Sequence, residues 1–235
     1  MVTYVEISQV LDELVENLQE TTGLYGPAID PFDLAERLRN SVLIDPTLPA
    51  RGCRRELCGG VSSIVIAPDD RDERMCFATA HEIGEQHVAN LCDRLGLSIT
   101  ECSERMREVL ANRIASRLLV PNPWFRDIAV ETDFDLFELK QTFPFASHQV
   151  ISWRMLDVET PTIITIFDNG QRYSRKANFS GRHEMQSLEQ HAWKQCRQDA
   201  EFVDVSRGSL RVQVWPIHEP DWKREIIRTT LLDWE

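Results

Sequence analysis

The first two thirds of the chain alternates between amphipathic helical segments and short apolar runs. In several stretches without Pro or Gly, apolar residues recur every three or four positions, which is the spacing of one helix face. Between them lie short runs rich in β-branched residues, which favour strands. The pattern predicts helices at 5–20, 31–38, 74–95, 104–119, 135–142 and 147–156, and strands at 42–44 and 62–67.

The last third has a different pattern, which begins at the turn-forming sequence Glu159-Thr160-Pro161. Asp168-Asn169-Gly170 separates two β-rich runs, a strong signal of a hairpin. A helix from about His183 to Glu201 and further strands follow. The sequence therefore predicts an α+β fold in two parts, a domain at 1–158 and a small α+β module at 159–235. It does not disclose the role of the module.

The predicted helix at 74–95 contains the sequence His81-Glu82-Ile83-Gly84-Glu85. A helix places residues four apart on the same side, so His81 and Glu85 face one point, with Glu82 beside them. Metalloprotease helices have this geometry. In them, two ligands four residues apart hold zinc, and the glutamate after the first ligand activates water. Here the second ligand position carries glutamate instead of histidine.

The predicted helix at 104–119 offers a third ligand, Glu108. Ala111 and Ala115 are small enough to let this helix lie close against the helix of His81, so that Glu108 reaches the same metal. The apolar stripe that would face the core is Met106, Leu110, Ile114 and Leu118.

His87 is the other histidine near this motif and an alternative second ligand. It lies six residues after His81, which is about 240° round the helix. His87 therefore points away from the predicted site, and we expect it at the surface.

Three motifs occur in order along the chain: Phe77-Ala78-x-Ala80-His81-Glu82-Ile83-Gly84, Glu108-x-x-Ala111-Asn112 and Leu118-Leu119-Val120-Pro121. Together they resemble the ImmA/IrrE family of metallopeptidases, the DUF955 group. In that family the two histidines of an HExxH helix and the glutamate of an ExxAN motif hold the metal. By position, the resemblance implies that His81 and Glu108 are ligands and that Glu82 is the general base. Glu85 stands where the family usually has histidine.

The resemblance also implies a zincin-like fold and a function. It implies a cytoplasmic metallo-endopeptidase that regulates few targets, typically a helix-turn-helix repressor in a stress response. The cofactor would be Zn²⁺, but a carboxylate in place of an imidazole favours harder ions, so Mn²⁺ is the alternative. The alternative function is a catalytically weak or inactive metal-binding protein with a regulatory or interaction role.

The formal charge of the chain is −12. Nonspecific binding to nucleic acid or to an anionic membrane needs a cationic surface, so the charge argues against both. No apolar run approaches the roughly 18 residues of a membrane span, and the N-terminus lacks the pattern of a signal peptide. We therefore expect a cytoplasmic protein whose six cysteines are free thiols.

The strand at 62–67 precedes the predicted metal helix. In zincin-like folds such a strand commonly borders the active-site cleft, where an extended substrate can pair with it by strand addition. An ordinary strand inside a sheet would have the same sequence, and the pattern does not separate the two.

The two short helices predicted at 135–142 and 147–156 resemble a helix-turn-helix. The second of them offers Arg154 as a cation, whereas DNA readers contact phosphates with several Lys or Arg side chains. We therefore interpret these helices as packing for the catalytic domain, and we expect no direct binding to nucleic acid.

Overall fold

The structure is a computed structural model that describes residues 4–56, 62–122, 124–158 and 160–232. The chain divides into two compact units, Met1–Ile151 and Ser152–Glu235. Both units combine helices with a small sheet, which confirms the predicted α+β class. That the segments 1–158 and 159–235 fold separately stays a prediction.

The first unit contains six helices and three strands within its described residues, and a seventh helix begins in it. The helices are α1 (Tyr4–Thr22), α2 (Pro31–Arg37), α3 (Asp72–Arg94), α4 (Glu104–Leu119), α5 (Trp124–Glu131), α6 (Leu136–Thr142) and α7 (His148–Arg154). The strands are β1 (Asn40–Ile44), β2 (Gly52–Glu56) and β3 (Ser62–Ile66).

Helix starts in this unit follow the capping residues of the sequence. The side chain of Asp30 accepts a hydrogen bond from the backbone of Phe32 and opens α2, whose first residue is Pro31. Ser103 caps α4 in the same way. The predicted bounds of α4 are confirmed, but Met106 is 38% exposed, because the buried face of α4 starts only at Leu110.

The three-stranded sheet has the order β1-β3-β2, with β1 parallel and β2 antiparallel to β3. β3 is therefore the central strand, so of the two alternatives that the sequence left open for 62–67, the ordinary strand inside a sheet is the one observed. The sequence missed β2, because the run Cys53-Arg54-Arg55-Glu56 is polar and has no apolar alternation. The helix α5 (Trp124–Glu131) is also absent from the elements that the sequence pattern predicts.

The second unit is a five-stranded antiparallel sheet with the order β5-β4-β8-β7-β6 and one helix, α8 (Ser187–Asp199). The predicted hairpin joins the first two strands, and Asn169 and Gly170 both have positive φ (48° and 82°), as a type I′ turn requires. The strands are β4 (Thr162–Asp168), β5 (Gln171–Ala177), β6 (Val203–Arg207), β7 (Leu210–Glu219) and β8 (Trp222–Leu231).

One face of this sheet holds α8 through apolar contacts and two buried acids. Phe167, Ala192 and Val212 belong to the apolar cluster. Glu189 of α8 pairs with Arg175 of β5, and Glu225 of β8 pairs with Arg197 of α8. Buried carboxylates are costly unless they are paired, so these contacts fix one position of the helix on the sheet.

The lysine and the arginine of the short helices α6 and α7 are both paired within the protein, since Lys140 of α6 forms an ion pair with Glu73. Arg154 of α7 is 2% exposed and forms an ion pair with Asp157. Its guanidinium group is therefore occupied inside the protein. That these helices do not bind nucleic acid stays a prediction.

Candidate metal centre

The candidate site is built where α3 and α4 lie in close contact. A Cβ atom added to Gly84 of α3 would lie 2.7 Å from the carbonyl oxygen of Ala111 in α4. Real Cβ atoms do not approach a backbone atom this closely, so the contact requires glycine in α3. α3 and α4 thus lie close together, as the sequence predicted, and the residue shown to permit this is Gly84.

His81 is held by two residues of α4. Its Nδ1 donates a hydrogen bond to Oδ1 of Asn112 at 3.2 Å, because an amide oxygen can only accept. Its Nε2 lies 3.8 Å from a carboxylate oxygen of Glu108. The bond to Asn112 fixes the tautomer of the ring and leaves the lone pair of Nε2 directed at the space that Glu108 borders.

Glu85 completes a group of three side chains that could hold a metal ion. One ring nitrogen of His81 and one carboxylate oxygen each from Glu85 and Glu108 all lie within 4.8 Å of one another. Ligands that surround an ion at roughly 2.1 Å are about 3.4 Å apart in a tetrahedral site, so small side-chain rotations suffice for binding. Over the part of the chain that the structure describes, no other group of three converges in this way.

The donor set of one imidazole and two carboxylates suits a divalent cation. Two carboxylates balance the charge of such an ion, and zinc, manganese and iron all accept this mixture of nitrogen and oxygen ligands. Glu108 is exposed, while His81 and Glu85 are half-buried. The site therefore opens to solvent on the α4 side.

Glu82 lies beside this group and is only 8% exposed. A Cβ atom added to Gly52 of β2 would lie 2.8 Å from Oε1 of Glu82, so the carboxylate rests against the backbone of that strand. Burial raises the pKa of Glu82; the charges of Glu85 and Glu108 act in the same direction, and those of His81 and Arg54 oppose it. A higher pKa makes Glu82 a stronger base than an exposed carboxylate.

His87 takes no part in the candidate site, as the helical spacing predicted. It is half-buried, however, and burial lowers the pKa of its imidazole. The expectation that His87 lies at the surface is therefore wrong, because α3 has neighbours on more than one side.

Sequence reasoning missed two supporting contacts of the site. Asn112 was seen as part of a motif, but its bond to His81 was not predicted, although Glu108 and Asn112 are four residues apart and share a helix face. No feature of the sequence indicated the contact of Gly52 with Glu82, because β2 itself was not predicted.

Comparisons with known proteins bear on the fold. No family model matches the chain, and no curated protein matches it. The structure is similar to that of a Mycobacterium tuberculosis transcriptional regulator, with a TM-score of 0.70 and 18% sequence identity over 96% of this chain and 79% of that chain. At this identity the similarity shows a shared α+β fold. No described helix is long and apolar enough to cross a membrane.

Proposed function

We propose that this protein is a metal-dependent endopeptidase of the ImmA/IrrE type, with His81, Glu85 and Glu108 as metal ligands and Glu82 as general base. The observation that carries the proposal is the convergence of the three ligand atoms within 4.8 Å of one another. The resemblance of the three sequence motifs to the family supports the same assignment.

Each residue of the site has a separate task in peptide hydrolysis. A divalent cation in this site supplies Lewis-acid polarisation of the scissile carbonyl. Glu82 accepts the proton of the attacking water and delivers it to the nitrogen of the leaving amine. Asn112 keeps the imidazole of His81 oriented, and Gly52 leaves room for the carboxylate of Glu82.

The residue types of the site and the family resemblance indicate a metal and a class of substrate. Zn²⁺ is the expected ion, and Mn²⁺ is the alternative, because two of the three ligands are carboxylates. The resemblance to the family supports a cytoplasmic location and a regulatory role with a specific protein target, such as a helix-turn-helix repressor.

The test is a comparison of the native chain with the Glu82→Gln variant. A glutamine cannot accept the proton, so we expect unchanged metal content and a loss of at least about 100-fold in hydrolysis. Both proteins, loaded with Zn²⁺ or Mn²⁺, would be incubated with peptides from a digested bacterial lysate, and new termini would be identified by mass spectrometry. Equal cleavage by the variant would contradict the mechanism.

A second candidate function is a regulatory protein that binds metal without efficient catalysis. The substitution of the usual histidine by Glu85 favours it, and the description of the M. tuberculosis protein as a transcriptional regulator is consistent with it. In the same experiment this function predicts a native chain that binds one metal ion and cleaves no peptide.

A further inference from the structure

The two site helices are joined by a short connection that contains a pair of buried cysteines. Cys92 lies in the last turn of α3, and Cys102 lies just before Ser103, the cap of α4. Their Sγ atoms are 3.5 Å apart. Cys92 is 0% exposed and Cys102 is 7% exposed. Both are thiols in this structure.

We propose that Cys92 and Cys102 are a redox pair that closes to a disulfide and thereby links the C-terminal end of α3 to the start of α4. A disulfide requires sulfur atoms at roughly 2 Å. The two thiols already face each other in van der Waals contact, so rotation about the side-chain bonds can bring the sulfur atoms to bonding distance.

The connection provides the access that a buried pair needs. Between the cysteines lies a single 3₁₀ turn, Ile99–Glu101, in which no residue is buried. Gly96, at φ +66°, ends α3 just before this segment. A turn with no buried residue opens at little cost, and its opening exposes Cys102 while Cys92 stays in α3.

The oxidant must be a small disulfide or a comparable two-electron acceptor. The thiolate of Cys102 attacks one sulfur of the oxidant, forms a mixed disulfide and releases one thiol. The sulfur of Cys92 then attacks the sulfur of Cys102, forms the internal disulfide and releases the second thiol. Two protons and two electrons leave the protein, and one disulfide of the oxidant becomes two thiols.

The reaction is slow in the closed structure. Burial raises the pKa of the Cys92 thiol to about 11, and the hydrogen bond with Cys102 acts in the same direction. Little thiolate of Cys92 is present at neutral pH, which slows its attack on the mixed disulfide at Cys102. Slow formation of one specific disulfide distinguishes this pair from an exposed reactive thiol.

The disulfide would constrain the helices that carry the candidate metal ligands. His81 and Glu85 are on α3, Glu108 is on α4, and the link joins these helices at one end. We expect the oxidised protein to melt several degrees higher than the reduced protein, because the closed loop restricts the unfolded chain. Dithiothreitol should reverse the shift.

The experiment is a disulfide map of the folded protein after incubation with oxidised glutathione. Free thiols are blocked with N-ethylmaleimide, and the protein is digested with trypsin without reduction. Cleavage after Arg74, Arg94 and Arg105 places Cys92 in the peptide Met75–Arg94 and Cys102 in the peptide Leu95–Arg105. The proposal predicts that these two peptides are recovered as one linked species.

Met75–Arg94 also contains Cys76, so the Cys76→Ser variant is the matched control. It should give the same linked species and the same melting shift, while Cys102→Ser should give neither. The proposal is overturned if the folded Cys76→Ser protein, fully exposed to oxidised glutathione, yields the two peptides unlinked, or if the link forms without a rise in melting temperature. The disulfide map and the melting temperature do not depend on hydrolysis, so a failure of the redox proposal can be told apart from a failure of the proposed peptidase function.

Discussion

Glu85 sets the net charge of the candidate metal centre. A site with two histidines and one glutamate leaves a divalent cation with one residual positive charge. His81 with Glu85 and Glu108 leaves none, so water at the site is polarised less and deprotonates less readily. The additional carboxylate also moves the preference of the site toward harder ions.

The Glu85→His substitution tests this argument on one residue. We expect it to tighten Zn²⁺ binding and to increase hydrolysis near neutral pH, because it restores the charge of a two-histidine site. The native chain should show its highest activity at a higher pH than the variant. The measurements are a Zn²⁺ titration and a pH profile of cleavage for both proteins.

The competing argument is that carboxylates are ordinary zinc ligands and replace histidine at little cost. An efficient native zinc peptidase whose zinc affinity and neutral-pH activity do not change in Glu85→His would show that the net charge does not limit the reaction.

The contact between α3 and α4 determines whether the ligands meet. The contact depends on Gly84, since any larger residue would collide with the backbone of Ala111. Gly84→Ala should therefore destabilise the protein by about 1–3 kcal/mol through overpacking, although alanine by itself favours helix. We also expect weaker metal binding, because the helices must separate. Thermal unfolding and a metal titration measure the two effects.

Ala89→Gly is the control for the helix preference alone. Ala89 is exposed on the same helix, so this change should cost only about 1 kcal/mol and leave metal binding as it is. Gly84→Ala with raised stability and unchanged metal affinity would contradict the close helix contact.

The helices of the site were predictable because they carry strong local signals. Ser103 caps the start of α4, and the periodic apolar stripe of the helix ends near Leu119. The i, i+4 spacing of a helix predicted that Glu85 lies beside His81. β2 was not predictable, because it is polar and is fixed by pairing with β3 rather than by its own pattern. The contact of Gly52 with Glu82 depends on that pairing, so it could be found only in three dimensions.

At the scale of the whole molecule, the proposed metal site lies entirely within the first unit. Its three ligands are on α3 and α4, and the division between the units falls inside α7. A chain that ends after Asp157 keeps α7 complete. We expect this shortened chain to fold and to bind metal with the stoichiometry of the full chain, as measured by circular dichroism and elemental analysis.

The shortened chain also tests the predicted organisation of the protein. An insoluble or metal-free product would show that the module at 159–235 is required for the folding of the site, and that the two parts do not fold separately.

The measurement that tests the central claim most directly is the metal stoichiometry of the native chain and of two variants, Glu108→Ala and Glu104→Ala. Glu104 lies one turn before Glu108 on α4 and is also exposed, but it is not part of the ligand group. Titration with Zn²⁺ and with Mn²⁺ should give one ion per chain for the native protein and for Glu104→Ala. Glu108→Ala should lose at least about 10-fold in affinity. A native chain that binds neither ion stoichiometrically, or a Glu108→Ala variant that binds as tightly as the native chain, would contradict the assignment of His81, Glu85 and Glu108 as one metal centre.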